Sequence, residues 1–131
     1  MRKRRPDFHH LSLNLSLNLP RTLADFFSIL LKVVHGVVTG LAGQDQEAGR
    51  TRIEQAARSA GIGMAADVNP SLMAKLPLPF KQMGMSIHED MDALADAIVQ
   101  KETPQQILQR LSSMTARCTT CHDVYRFSTE R

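Results

Sequence analysis

Residues 79–122 read PFKQMGMSIHEDMDALADAIVQKETPQQILQRLSSMTARCTTCH, and this stretch decides the fold. Phe80, Met83, Ile87, Met91, Leu94 and Ile98 recur at steps of three and four, which puts them on one face of a helix. That helix is expected to run to about Gln100. Thr103, Pro104 and Gln106 then form a capping box with proline at the first helical position, so a second helix starts at once. Ile107, Leu111, Met114, Cys118 and Cys121 keep one face of it. A connection of only a few residues makes the two helices antiparallel neighbours.

Upstream, Ile53, Ala56, Ala57, Ala60 and Met64 form a thinner apolar stripe over residues 45–60, on a helix that Gly61 and Gly63 end. Asp67 to Phe80 carries Pro70, Pro77 and Pro79, which remove donors and hold the chain extended, so it reads as a structured connection. The 131 residues contain no Trp, one Tyr and five Phe, and few β-branched residues outside one segment, which disfavours a β-sandwich or barrel. The expected fold is therefore all-α, an antiparallel bundle of three to four helices. Seven Met suit irregular packing or a bulky ligand.

The chain divides near residue 43. Residues 1–43 open with Arg2-Lys3-Arg4-Arg5, and then alternate polar and apolar from Leu11 to Leu19. No second strand is evident to pair with that alternation, so it reads as a disordered or leader-like segment. Phe26 to Ala42 is apolar except at Ser28, Lys32, His35 and Thr39, and leads into Gly40, Ala42 and Gly43. A basic start, an apolar stretch and a small-residue exit describe an export signal. The same residues also fit an uncleaved membrane anchor over 22–42, the one route by which a membrane becomes a partner, or a further helix of the bundle. Residues 44–131 are then the functional helical domain.

Charge follows the same division. The formal +3 of the chain comes from the first 43 residues, which hold six basic side chains against two acidic ones; the remainder holds ten against eleven. A nearly neutral body without a basic stripe lacks the driving force for phosphate-backbone binding, which excludes nucleic acid as the expected partner.

Cys118-Thr119-Thr120-Cys121-His122 is the chemistry-bearing motif. C-x-x-C-H is the spacing of c-type haem attachment. On a helix Cys118 and Cys121 lie about 60° apart and Cys118 and His122 about 40° apart, so all three leave one face. Two thiols there can add to the two vinyl groups of one porphyrin while a neutral imidazole reaches its iron as proximal ligand. The expected cofactor is one covalent haem c on the C-terminal helix. Two alternatives stay open. A Cys-x-x-Cys can be a redox disulfide, although such motifs follow a strand and this one ends a helix. It can also be half of a zinc site, which here would draw its other ligands from distant His or acidic residues.

With Tyr125 and Arg126 just beyond the motif, the chain resembles the class II cytochromes c, the cytochrome c prime group, over residues 80–126. The resemblance implies a four-helix bundle exported to the periplasm, thioether bonds at Cys118 and Cys121, axial ligation by His122, and Arg126 near the haem propionates. It implies a homodimer as an assembly, and a distal residue carried by the first helix. The implied activity is one-electron transfer with redox partner proteins, not enzymatic catalysis.

A hairpin turning near residues 101 and 102 sets Thr115 opposite His88 and Cys118 opposite Met85, which brings the haem beside the first turns of the preceding helix. Met83, His88 and Met64 are the candidate sixth ligands. A bound ligand makes an electron carrier; an open apolar site admits NO or CO, which is the rival function. A haem-free thiol or metal-binding protein is the second rival. His9, His10 and His35 have no expected ligand role. Glu89, Asp90, Asp92 and Asp96 form an acidic helix face, solvated by default and otherwise a dock for a basic redox partner. No carboxylate pair, nucleophile with its base, or phosphate-cradling glycine loop is present to support an enzyme reading.

Overall fold

The computed structural model describes residues 11–13, 19–66 and 70–127, with side chains placed over 27–65 and 70–125. In chain order the elements are β1 (Leu11–Leu13), α1 (Leu19–Ala42), α2 (Gln46–Ser59), α3 (Ile62–Ala66), α4 (Pro70–Lys75), α5 (Leu78–Val99), α6 (Pro104–Val124) and β2 (Tyr125–Phe127). The fold is all-α in its architecture: α1 packs on α2, α2 on α5, and α5 on α6.

Local chemistry sets the helix ends. Asp45 caps α2 by accepting from the Ala48 N–H at 3.1 Å. The capping box of α6 is complete: the Gln106 N–H donates to Thr103 Oγ1 at 3.2 Å, and the Thr103 N–H donates to Gln106 Oε1 at 2.8 Å. At the end of α5 the Lys101 N–H donates to the Ile98 carbonyl and the Glu102 N–H to the Ala97 carbonyl, both at 3.0 Å. This is a Schellman closure, and Lys101 takes the left-handed conformation it needs, with φ 58°.

Two expectations are corrected. The connection before Phe80 is partly helical: it contains α4, and α5 begins at Leu78 because Pro79 sits in the first turn, where a missing N–H costs nothing. The alternation after Leu11 does have a strand partner, since Leu11–Leu13 pairs in parallel with Tyr125–Phe127. That partner is only three residues long and directly follows a helix, too short for a period to register. The basic cluster at 2–5, His9 and His10 lie outside the described residues.

One core joins all four long helices. Leu30, Val33 and Val37 of α1 meet Ile53 and Ala57 of α2, Met91 and Leu94 of α5, and Ile107 and Met114 of α6. A smaller cluster of Leu72, Leu76, Phe80 and Tyr125 closes one end, with Phe80 and Tyr125 edge to face at 5.1 Å. The α1–α2 crossing is close because both backbones lack a side chain there: a Cβ on Gly49 would strike the Gly40 carbonyl oxygen, and one on Gly40 would lie 2.6 Å from Ile53 Cγ1. Among the described residues no helix is long and apolar enough to cross a membrane.

Candidate functional site

The order of packing leaves the α1–α6 side of the bundle as its open side, and a cavity of about 440 Å³ lies there. That volume falls in the range of about 300–1,000 Å³ that cofactor and ligand sites occupy. Phe27, Ser28, Leu30, Leu31 and Val34 of α1 form one wall, and Ile87 and Met91 of α5 form the floor. The other wall is α6, through Met114, Thr115, Cys118, Cys121 and His122. The motif thus stands where its helical spacing puts it, with all three side chains on one cavity.

The cavity wall is mostly apolar, with Ser28 and Thr115 as its hydroxyl side chains. Leu31 is 70% exposed, although Leu30 beside it is a core residue. Cys118 and Cys121 are half-buried free thiols. Cys118 Sγ lies 3.9 Å from the Met114 carbonyl one turn back. Burial pushes the Cys118 thiol above its ordinary range, and burial together with the nearby Cys118 does the same for Cys121. Both are therefore thiols at neutral pH. His122 is exposed in the last turn of α6, its ring 5.8 Å from the Phe27 ring and tilted 56° to it. Among the described residues, no three His, Cys, Asp or Glu side chains converge on a point where they could ligate one ion.

The nominated sixth ligands are not brought to this cavity. His88 is only 2% exposed and its Nδ1 lies 2.6 Å from the Ala60 carbonyl at the end of α2, which the imidazole satisfies as donor. Met83, like Cys121, packs on the Phe80 and Tyr125 cluster, and Met64 packs on the main core. The methionines that do line the cavity are Met91 and Met114, two members of the apolar stripes. His35 is exposed, with its Nε2 3.4 Å from Thr39 Oγ1. The side chain of Arg126 lies outside the described residues. The wall from α1 was missed in the sequence: Phe27, Leu31 and Val34 follow a spacing of four and three, a signal hidden inside a segment apolar nearly all round.

The acidic face of α5 is largely paired. Asp96 binds Arg58 at 2.7 Å, while Asp92 lies 3.9 Å from the same arginine and accepts from the Ile62 N–H at the start of α3. Asp90 pairs with Arg117 at 3.1 Å. Arg117 also reaches the Ser86 carbonyl at 3.4 Å, the level at which a turn near residues 101 and 102 sets the two helices. Glu89 stays exposed.

No family model matches the chain, and no curated protein or solved structure matches it.

Proposed function

We propose that the protein is an exported, periplasmic monohaem c-type cytochrome that carries single electrons between redox partner proteins. The observation that carries this reading is the joint placement of Cys118, Cys121 and His122 on a cavity whose α1 and α5 lining is apolar except at Ser28. Cys118 and Cys121 would hold the haem covalently, each by adding its S–H across a vinyl group, with sulfur on one carbon and hydrogen on its neighbour. The addition needs no oxidant, and the protonated thiols present at neutral pH are the form that supplies the hydrogen. His122 would be the axial ligand and Arg126 the propionate partner. Phe27, Leu30, Leu31 and Val34 would keep water from a haem held at this cavity, which would limit solvent reorganisation when its charge changes. When bound, the haem supplies a reversible one-electron couple.

A second reading, binding of NO or CO at an open site, is favoured by one observation. Met83 and His88 lie off the cavity, and the α1 wall facing His122 offers no nitrogen or sulfur donor. The test is an optical spectrum, oxidised and reduced, of the full chain expressed with export and cytochrome c maturation, followed by denaturation. Haem that stays attached with sharp low-spin bands supports the electron carrier, and Met91 and Met114 are then the donors to vary first. Attached haem with high-spin bands that shift on CO selects the gas-binding reading. Absence of covalent haem overturns both and returns Cys118 and Cys121 to thiol or zinc chemistry.

A further inference from the structure

We propose that Phe27 of α1 is the positioning residue for the His122 imidazole, an inference that rests on the haem reading above. An imidazole on an exposed last helical turn has a broad, roughly two-fold torsion at its outer bond and no preferred plane of its own. Metal-bound histidines commonly acquire that plane from an acceptor on the second ring nitrogen. Here, among the described residues, the partner found for the ring is an aromatic ring: Phe27, at 5.8 Å and 56°. The separation falls within the range of about 4.5–7 Å over which aromatic pairs interact, with the rings tilted between the stacked and the edge-to-face arrangement.

Phe27 is itself held in place. It is half-buried and packs against both hydrophobic clusters, so it is wedged where the main core meets the Phe80 and Tyr125 end. The contact also joins α1 to α6, across the side where the bundle is open. The helix that carries the motif therefore does not orient its own imidazole; the first helix does. An imidazole plane fixed in this way is the same in every molecule, and a haem iron held by His122 would meet the ring in that one orientation.

The experiment compares the wild type with F27A, F27L and F27Y, each as the full chain matured with haem. Proton NMR of the ferric protein is read at the four haem methyl resonances, whose order and spread follow the plane of the axial imidazole. Wild type and F27Y are expected to share one pattern, and F27A and F27L to show a changed order or more than one set. If F27L, which keeps most of the volume, lowers the thermal midpoint but retains the wild-type pattern, Phe27 only packs and the inference is overturned. If F27A and F27L fail to take up haem, attachment restored in F27Y supports the inference, and failure of F27Y as well overturns it. Wild type without covalent haem sinks the haem reading and this inference together; attached haem with an unchanged pattern in F27A sinks this inference alone.

Discussion

Gly49→Ala changes sign according to whether α1 lies against α2. In a helix that faces water, alanine is favoured over glycine by about 1 kcal/mol. At Gly49 the new Cβ would strike the Gly40 carbonyl oxygen, and Gly40 in turn sits against Ile53. The obstructing atom is backbone, so relief requires the two helix axes to separate. Overpacking of that kind costs about 1–3 kcal/mol, and the upper part of the range applies where no side chain can rotate away. Set against the helix-propensity gain, the expected result is a net loss of about 1–2 kcal/mol. Gly84→Ala on α5 is the internal control, because a Cβ added there would meet nothing within 4 Å. It is expected to gain about 1 kcal/mol. Urea unfolding of both full-length variants, followed by circular dichroism, should separate them by about 2–3 kcal/mol, with Gly49→Ala below the wild type and Gly84→Ala above it. If Gly49→Ala stabilises as Gly84→Ala does, the close α1–α2 crossing is wrong, and with it the α1 wall of the cavity.

Lys101→Gly should raise stability by about 0.5–1 kcal/mol in the same assay, since Lys101 holds a left-handed backbone that glycine adopts freely. His88→Ala should cost about 2–4 kcal/mol, because it empties a buried position and leaves the Ala60 carbonyl without the imidazole; a loss under about 1 kcal/mol would show that the ring is not seated there. The Arg110 guanidinium binds both oxygens of Glu102, at 2.7 and 2.6 Å, and holds its carboxyl below the ordinary value. A depressed carboxyl stabilises the fold above its unfolded pKa and loses that contribution as pH falls through the folded one. The stability gap between wild type and E102Q should therefore narrow as the solution is acidified from neutral pH through the carboxylate range, and a gap independent of pH would refute the pairing. In protein expressed without haem, alkylation of Cys118 and Cys121 should run slower at neutral pH than for an unfolded control and catch up only above the ordinary thiol range.

Where a signal was local, the sequence carried it. The capping box at Thr103 and Gln106, the stop of α5 near Gln100 and the stripe from Phe80 to Ile98 each depend on residues within a few positions of one another. The motif at Cys118 to His122 was placed on one helix face by the same spacing that now puts it on one cavity. What escaped depends on distant chain. His88 was legible as a residue on the flank of its helix, but its partner is a carbonyl 28 positions upstream. The acidic face of α5 reads as solvated in the sequence because Arg58, which pairs with it, is 38 positions from Asp96. The strand pairing of Leu11–Leu13 joins the two ends of the chain, which no local period can report.

Residues 30–37 decide what the N-terminal segment is worth to the fold. Leu30, Val33 and Val37 are all buried in the main core, with Val37 wholly inaccessible. Burying one such side chain is worth about 1.5–3 kcal/mol, so the three together supply about 5–9 kcal/mol as an upper bound. The whole stability of a domain is about 5–15 kcal/mol. A chain cut after Ala42 would also uncover the partners of these residues, Ile53 and Ala57 on α2, and would lose Phe27, Leu30, Leu31 and Val34 from the cavity. The expectation is that folded, haem-loaded protein recovered from the periplasm retains Phe27 to Ala42. Intact-mass measurement of that protein, together with its unfolding curve, checks this. A mature chain that begins at Gly43 and still unfolds cooperatively with haem attached would show that α2, α5 and α6 hold the site without the first helix, and the strut from Phe27 to His122 would fall with it.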